Sequence, residues 1–281
     1  MASIINGTQI AEKIKDNIVK EIAKLGGARP NLAIIFVGER ADSKLYVQLK
    51  EKEAKKVGID THLYKCPSNT PEKDIIEMID CLNKDKLIDA ILVQLPLPAG
   101  FNTDEIIKAI DPAKDADRFH PDNLEKLLAT CNHFEVMPPL FMVVLKILEE
   151  IDFSLEGKQA CVIANSDKFG KSLAKILECK QAKVGVVTAE DHDLERKTIQ
   201  ADLLVTAVGR PGLVTKDMIK KDAVIIDIGI TKEGKIVSGD VDFEDVKDKA
   251  GFITPVPGGV GPMTIAMLFQ STLALHKARK K

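Results

Sequence analysis

The stretch VIANSDKFGKSLAKIL, residues 162–177, joins an apolar strand-like run to an amphipathic helical pattern through a short polar turn. Ser166 and Gly170 lie at this turn. In doubly wound α/β folds, a turn of this kind places the pyrophosphate of a dinucleotide against a helix N-terminus. The turn lacks the three-glycine fingerprint, so the pattern is equally compatible with an ordinary strand-to-helix connection.

The same succession of strand and helix is repeated along most of the chain. Such alternation predicts an α/β fold with parallel sheets covered by helices on both faces. Thr70 is expected to be an N-cap and Pro71 the first helical residue. Strands are predicted at residues 31–38, 59–65, 89–95, 159–164, 182–188, 201–208 and 223–230, and helices near 8–25, 41–57, 71–84, 102–110, 137–150, 168–180 and 191–200.

Residues 111–136 interrupt this alternation and indicate a division into two domains. A helix-like segment, residues 137–150, then leads into a second series of strands and helices. We therefore predict one α/β domain that ends at residue 137 and a second that spans residues 138–250. The apolar stretch after Pro262 is typical of a last helix.

The composition excludes several functional classes. Forty Lys and Arg residues balance 42 Asp and Glu residues, which gives no electrostatic case for nucleic acid or an anionic membrane as the main partner. No apolar run approaches the ~20 residues of a spanning helix, and no signal segment begins the chain, so we expect a cytoplasmic protein. The cysteines are scattered and are predicted to be reduced, without a disulfide framework or a metal site; they are Cys66, Cys81, Cys131, Cys161 and Cys179.

A lysine on the helical segment 43–59 is the first candidate for chemistry. Lys50 follows Tyr46 by one turn and falls within the apolar arc of the helical projection. Burial would lower the pKa of such a lysine and allow proton transfer near neutral pH. The alternative is a snorkelling lysine whose stem covers apolar surface. The arc consists of Leu45, Tyr46, Val47, Leu49, Ala54 and Val57.

Polar residues at one predicted strand end and in the interruption that follows it are further candidates. Gln94 stands near the carboxyl end of a strand, where open parallel sheets bind ligands, although it is equally compatible with a structural edge residue. Asp111, Asp115 and Asp117 lie in the interruption and suit either turns or the binding of a guanidine-like edge. His120 lies in the same loop without a partner that would make it a base, so we interpret it as structural.

Prolines and glycines dominate the segment PVPGGVGPM, residues 255–263. Glycines remove side chains where another molecule can press on the backbone, and prolines fix the course of the chain. A plain tight turn would need fewer of these residues.

Together, these stretches resemble the bifunctional methylenetetrahydrofolate dehydrogenase/cyclohydrolase family of folate one-carbon metabolism. The resemblance covers nearly the whole chain. Its most specific parts are SKLYVQLKEKEAKKVGI, ILVQLPLP, DADRFHP, GDVDFEDV and ITPVPGGVGPMT.

The resemblance implies a folate-binding catalytic domain from residues 1–137 and 251–281, to which the C-terminal helix returns, and a Rossmann-like NAD(P)-binding domain from residues 138–250. It also implies a homodimer that acts on tetrahydrofolate derivatives. Lys50 corresponds to the catalytic lysine, Gln94 to its partner, Tyr46 to a tyrosine that stacks on the folate, and Asp117 to an aspartate that holds the pterin. The segment Pro257, Gly258 and Gly259 would line the substrate cleft.

The implied cofactor is NADP, although two acidic residues after a predicted strand, Glu190 and Asp191, make NAD possible because they would repel a 2′-phosphate. Phe141 stands where the family usually has glycine, so its ring is expected to crowd the nicotinamide, and Arg118 replaces a second glycine of the family. An alternative is therefore a cyclohydrolase with weakened or lost dehydrogenase activity, and a second is a non-catalytic folate-binding protein. The cofactor-binding residues implied are Ala164, Asn165, Ser166, Gly170, Ala189, Gly209 and Ile230.

Overall fold

The computed structural model describes residues 2–130, 134–234 and 236–280. Its strands are β1 Ser3–Ile4, β2 Asn31–Val37, β3 Asp60–Cys66, β4 Ala90–Val93, β5 Gln159–Ala164, β6 Lys183–Val187, β7 Leu203–Ala207, β8 Val224–Asp227, β9 Thr231–Glu233, β10 Ile236–Ser238 and β11 Phe252–Ile253. Its α-helices are α1 Gly7–Ala23, α2 Ala41–Val57, α3 Glu72–Lys84, α4 Thr103–Lys108, α5 Pro121–Thr130, α6 Pro139–Glu150, α7 Asp167–Cys179, α8 Leu194–Thr198, α9 Phe243–Val246 and α10 Val260–Arg279.

The chain forms two compact units. One contains Met1–Ala11 and Phe141–Thr264, and the other contains Glu12–Leu140 and Ile265–Lys281. The division differs from the predicted boundaries at both ends of the chain. The reason is that β1 pairs with β11, and β11 pairs with β8, so these terminal strands extend the sheet of the unit that contains residues 141–264.

A parallel sheet with the strand order β1-β11-β8-β7-β5-β6 forms the centre of the first unit. From β5 the chain passes to β6 on one side, whereas the later strands β7 and β8 lie on the other side. The carboxyl ends of β5 and β7 therefore flank the point where the strand order reverses, which is where doubly wound sheets bind ligands. The interior strands are apolar because helices and loops cover both faces.

The second unit contains a parallel sheet in the order β3-β2-β4. Its central strand β2 is buried from Leu32 to Val37. Apolar side chains of α3 and α4, including Ile75, Ile79 and Ile106, pack in the same core. This sheet fixes the carboxyl end of β4, from which Gln94 follows.

The C-terminal helix α10 returns to this second unit, as predicted. The Ser271 hydroxyl donates a hydrogen bond to the carbonyl of Ala116 over 2.9 Å. The His276 ring lies 2.8 Å from the Asp89 carboxylate, and both side chains are buried. Residues on almost every side of α10 are buried, which explains its apolar sequence.

The predicted strands and helices are confirmed, with boundaries that shift by a few residues. The predicted N-cap at Thr70 is wrong, because Pro71 occupies the N-cap and makes no side-chain capping bond. The sequence patterns missed α5, α9 and the short strands β1, β9, β10 and β11. These elements have two to ten residues and are too short or too irregular to show a clear period.

Cysteine chemistry departs from the prediction at one residue. Cys66, Cys81 and Cys161 are free, as expected, but Cys179 is disulfide-bonded. The prediction that all thiols are reduced is therefore wrong at Cys179. Cys131 lies outside the described residues.

Across residues 2–130, 134–234 and 236–280, every helix is too short or too polar to cross a membrane.

The apolar side of α10 should contribute strongly to stability. Phe269 is fully buried, whereas the next residue, Gln270, is exposed. Replacing Phe269 by alanine should lower the free energy of unfolding by about 3–5 kcal/mol because it leaves a cavity. Gln270→Ala is the matched control and should change it by less than about 0.5 kcal/mol. Urea denaturation followed by circular dichroism measures both, and equal effects would contradict this packing.

Candidate active site

Lys50 lies on α2, and its side chain extends toward Gln94, which follows β4. Its side chain is half-buried, whereas Lys44, Lys52 and Lys55 on the same helix are exposed, as the helical projection predicts. The buried face of α2 around it includes Val47 and Ala54. The prediction of a continuous apolar arc is wrong in part, because Leu45 is 52% exposed and Leu49 is 41% exposed.

The Lys50 side-chain nitrogen Nζ lies 2.7 Å from Oε1 of Gln94, to which it donates a hydrogen bond. Gln94 follows β4 directly, and its backbone N–H donates to the carbonyl of Ile35 in β2. Its side-chain Nε2 donates to the Leu95 carbonyl over 2.6 Å. The amide is therefore held with its oxygen toward Lys50, in the orientation that accepts a hydrogen bond from the amine.

Burial shifts the pKa values of the two ionisable groups at this position in opposite directions. Loss of hydration lowers the pKa of Lys50, and the negative charge of Asp117 partly offsets this effect. Burial raises the pKa of Asp117 to about 6, although Lys50 acts in the opposite direction. The site thus contains an amine that releases its proton more readily than a surface lysine and a carboxyl group that titrates near neutral pH.

The loop between Asp111 and His120 positions Asp117 through its other acidic residues. Asp111 accepts a hydrogen bond from the N–H of Ala113, and Asp115 accepts one from the N–H of His120 over 2.7 Å. These two carboxylates stabilise the turn. Among the described residues, none donates a hydrogen bond to the Asp117 carboxylate, so this carboxylate has acceptor capacity for a ligand.

His120 is structural, as the sequence predicted. Its Nδ1 accepts the N–H of Asp122, and its Nε2 lies 3.2 Å from the carbonyl of Lys108. Both ring nitrogens are thus used within the loop.

Arg118, next to Asp117, has a φ angle of 61°, in the left-handed region that favours glycine. Glycine adopts this angle at no steric cost, in agreement with the glycine that the family resemblance implies here. Arg118 is buried, and burial lowers the pKa of its guanidinium, while Asp115 and Glu135 oppose that shift. The negative charges of Asp115 and Glu135 favour the charged form of this guanidinium, and its Nη1 lies 3.5 Å from the Pro112 carbonyl.

Tyr46 lies one helical turn before Lys50 on α2 and is half-buried. Burial raises the pKa of its phenol. Tyr46, Lys50, Gln94 and Asp117 all belong to the unit that contains Glu12–Leu140. The remaining predicted site residues belong to the unit that contains Phe141–Thr264.

The candidate cofactor residues Ala164, Asn165 and Ser166 end β5 and begin the turn into α7, at the point where the strand order reverses. The Ser166 hydroxyl caps α7 by accepting the N–H of Phe169. Asn165 Nδ2 donates to the carbonyl of Val208, after β7, over 3.0 Å. This bond ties together the two loops that flank the reversal point.

Gly170 allows α7 to lie close to the sheet. A Cβ atom at this position would lie 2.8 Å from Val186 and 3.3 Å from Ala164. Close packing of the first helix against its strand is the role of the third glycine in dinucleotide-binding turns. Gly170 thus fulfils that role although the full fingerprint is missing from the sequence.

Phe141 is fully buried and packs against Phe169, with ring centroids 5.4 Å apart and an interplanar angle of 58°. The expectation that this side chain crowds a cofactor is weakened by that arrangement, because the ring fills the interior of its own unit.

The segment after β6 carries the two acidic residues that favoured NAD. Ala189 is buried and Glu190 is exposed. Asp191 pairs with Lys197 at 2.7 Å and also accepts the N–H of Asp193, and these two hydrogen bonds hold the pKa of its carboxyl below the usual range. Lys197 therefore balances one of the two negative charges.

Gly209 and Ile230 lie on the loops that follow β7 and β8. The Thr231 hydroxyl donates to the Gly209 carbonyl over 3.1 Å, which links these loops. Both loops also contact Asp240, a buried residue that the sequence analysis did not select. The sequence signal that could have identified Asp240 is its place in GDVDFEDV, one of the segments that carry the family resemblance.

Pro257, Gly258 and Gly259 precede α10, in a turn closed by a bond from the Gly259 N–H to the Pro255 carbonyl. A Cβ atom on Gly7 would lie 1.8 Å from the Gly259 carbonyl oxygen, and one on Gly259 would lie 2.5 Å from the Pro255 carbonyl oxygen. Packing of the chain against itself therefore already requires these glycines, in addition to any contact with a ligand.

Comparisons with known proteins identify relatives along the whole chain. Residues 5–117 match the model of the tetrahydrofolate dehydrogenase/cyclohydrolase catalytic domain, and residues 138–280 match that of the tetrahydrofolate dehydrogenase/cyclohydrolase NAD(P)-binding domain. The bifunctional protein FolD of a Nitratiruptor species is 43% identical over 281 residues, which are 99% of each chain.

Solved structures agree with this result. The bifunctional enzyme FolD, a methylenetetrahydrofolate dehydrogenase/cyclohydrolase from Campylobacter jejuni, is 37% identical with a TM-score of 0.93, over 99% of this chain and 100% of that one. The Trypanosoma brucei enzyme, complexed with NADP and an inhibitor, is 33% identical with a TM-score of 0.95, over 100% of this chain and 99% of that one. The chain therefore belongs to the tetrahydrofolate dehydrogenase/cyclohydrolase family.

Proposed function

We propose that this chain oxidises 5,10-methylenetetrahydrofolate to the 5,10-methenyl compound with NADP and hydrolyses that product to 10-formyltetrahydrofolate, with Lys50 as the proton-transfer group. The observation that carries the assignment of Lys50 is its 2.7 Å hydrogen bond to Gln94 in a half-buried position beside Asp117. The matches to both family models support the pair of activities.

The oxidation depends more on the placement of the substrate than on proton transfer. Loss of hydride from the carbon between N5 and N10 leaves a cation that both nitrogens share, so a strong base is unnecessary. The Asp117 carboxylate can accept hydrogen bonds from the amidine-like edge of the pterin, and Tyr46 can stack on the ring system. Pro257, Gly258 and Gly259 remain predicted substrate contacts.

The hydrolysis requires proton transfers, which suit an amine with a lowered pKa. Neutral Lys50 accepts a proton from the water that attacks the methenyl carbon. The resulting ammonium returns a proton to N5, which leaves as the five-membered ring opens. The hydroxyl left by the attacking water loses its remaining proton to solvent as the formyl C=O forms, so the hydrolysis releases one proton overall. Gln94 Oε1 can accept a hydrogen bond from either form of the amine, so it holds Nζ in place throughout.

The residues at the reversal point of the six-stranded sheet fit a dinucleotide. Gly170 brings α7 against the strands, so the helix N-terminus faces the loop where a pyrophosphate binds. Ala164, Asn165, Ser166 and Gly209 would hold it from the two flanking loops, with Ala189 and Ile230 beside them; the bound nicotinamide supplies the hydride acceptor.

NADP is the cofactor that the comparisons support, since a solved relative contains it. The pairing of Asp191 with Lys197 agrees with this assignment, because that acid is already balanced. Glu190 remains as an exposed negative charge after β6. We include homodimeric assembly in the proposal because the family resemblance implies it, and we keep the cytoplasmic location that the sequence features predict.

Replacing Lys50 should separate the two reactions. We expect Lys50→Met to lower the rate of methenyl hydrolysis by about 10²–10⁴-fold, because the proton-transfer group is lost. The NADP-dependent oxidation should fall much less, since it does not use this proton. Absorbance assays of both half-reactions, each with NADP and with NAD, measure these effects.

Lys52→Met is the matched control because Lys52 lies on the same helix and is exposed. It should retain both rates. Unchanged hydrolysis in Lys50→Met would reject the assigned role, and an inactive wild-type protein would reject the proposed function.

The titration of Asp117 should appear in substrate affinity. Because burial raises its pKa to about 6, the carboxylate becomes protonated as the pH falls below about 6 and loses one acceptor. The KM for methylenetetrahydrofolate should therefore rise as the pH is lowered through this value. In Asp117→Asn, the KM should be high throughout and lack this step. A wild-type profile that matches the profile of Asp117→Asn would rule out the carboxylate as a pterin contact.

Glu190 should oppose binding of the 2′-phosphate of NADP. We expect Glu190→Gln to lower the Kd for NADP by about two- to fivefold and to leave the Kd for NAD unchanged, because an exposed charge acts weakly through water. Glu195→Gln, an exposed acid on α8, is the control. Isothermal titration calorimetry measures both constants, and an equal change for both cofactors would contradict the interpretation.

A further inference from the structure

The segment GDVDFEDV, residues 239–246, contains a buried carboxylate that the proposed reaction does not use. Asp240 has no exposed surface and follows β10. It lies in the unit that contains Phe141–Thr264, on the same side as the loops after β7 and β8.

Both oxygens of Asp240 accept hydrogen bonds from β7 and the loop after it. Oδ2 accepts the Thr206 hydroxyl and the Val208 N–H, each over 2.8 Å. Oδ1 accepts the N–H of Arg210, also over 2.8 Å. Two of the three donors are backbone groups of the loop that contains Gly209, so this carboxylate sets the course of that loop.

A second buried carboxylate, Asp227 at the end of β8, holds Asp240 and the neighbouring loop. Asp227 accepts hydrogen bonds from the N–H groups of Gly229, Asp240 and Val241 over 2.9–3.1 Å. The loop approaches Asp240 so closely that a Cβ atom on Gly229 would lie 2.1 Å from Oδ1. The two acids thus connect the loops after β7 and β8.

The loop after β7 is also held from its other side. Asn165 donates to the carbonyl of Val208, and Thr231 donates to that of Gly209. Asp240 in addition accepts two backbone N–H groups of this loop, so four polar groups of its backbone are fixed. They are the N–H and C=O of Val208, the C=O of Gly209 and the N–H of Arg210.

Within the described part of the chain, the two buried acids have hydrogen-bond donors but no cationic partner. Among the described residues, no Lys, Arg or His side chain forms an ion pair with either carboxylate. Burial raises the pKa of Asp227 to about 7, and the neighbouring charge of Asp240 adds to the shift. Burying a carboxylate without a cationic partner costs free energy, but an apolar side chain in its place would leave these loop N–H groups without acceptors, so the two acids serve to hold the loops.

We propose that Asp240 is a positioning residue for the dinucleotide cofactor, which fixes the backbone of residues 208–210 and, together with Asp227, that of residues 228–230. The loop after β7 flanks the reversal point where the fold binds a dinucleotide. This inference rests on the proposed use of a nicotinamide cofactor.

The test compares NADP affinity with hydrolysis in Asp240→Asn. The amide places an NH2 group against a loop N–H, so one backbone donor loses its acceptor and the loop shifts. We expect the Kd for NADP, measured by calorimetry without folate, to rise at least about tenfold. Hydrolysis of the methenyl compound, measured without cofactor, should stay within about twofold of the wild-type rate.

Thr206→Val is the matched control. It removes the hydroxyl that donates to Oδ2 of Asp240 and keeps the shape of the side chain. Both hydrogen bonds from the loop N–H groups to Asp240 stay in place. Its Kd for NADP should stay near the wild-type value even where its thermal stability falls. An equal loss of affinity in both variants would overturn the proposal, because the effect would then follow from general destabilisation. A wild-type Kd in folded Asp240→Asn would overturn it as well.

Thr231→Val decides the question if Asp240→Asn does not fold. It removes one exposed bond to the Gly209 carbonyl and should raise the Kd for NADP several-fold. An unchanged Kd in this variant would overturn the proposal. Failure of the wild-type protein to bind NADP would instead reject the proposed dehydrogenase function, so the two failures are distinguishable.

Discussion

The proposed chemistry depends on one hydrogen bond, between Lys50 Nζ and Gln94 Oε1, in a position where water is partly excluded. A fully hydrated lysine is charged at neutral pH and is a poor proton acceptor. Burial lowers that pKa, and a neutral amide partner does not raise it again as a carboxylate in direct contact would. Asp117 supplies a weaker opposing charge, so the amine still releases its proton more readily than a surface lysine does.

Two sheets place functional residues by the same rule. In the smaller sheet, β4 ends at Val93 and Gln94 follows it; in the larger sheet, β5 and β7 end at the loops that carry the candidate cofactor residues. Because the carboxyl ends of parallel strands lie along one edge, residues that are distant in sequence come together there. Buried carboxylates then fix the loops at both edges. Asp115 lies within the loop that presents Asp117, and Asp240, which follows β10, accepts hydrogen bonds from the loop that presents Gly209.

The glycine- and proline-rich segment before α10 shows that one motif can satisfy more than one physical requirement. The sequence suggested that the bare backbone of residues 255–263 receives a ligand. The structure adds that a side chain on Gly7 would meet the Gly259 carbonyl and that a side chain on Gly259 would meet the Pro255 carbonyl. Internal packing and ligand contact are therefore compatible explanations for the same residues, and a family motif by itself does not separate them.

The sequence by itself determined the α/β class, most helices and strands, and the position of Lys50 on the covered side of α2, because these depend on local periods of 2 and 3.6 residues. It also selected Gln94 and Asp117, through the resemblance. Only the tertiary structure decided the strand order, the membership of β1 and β11 in the larger sheet and the exposure of Leu45 and Leu49. It alone showed the bonds of Asp240, since hydrogen bonds between residues 30 or more positions apart leave no periodic trace in the sequence.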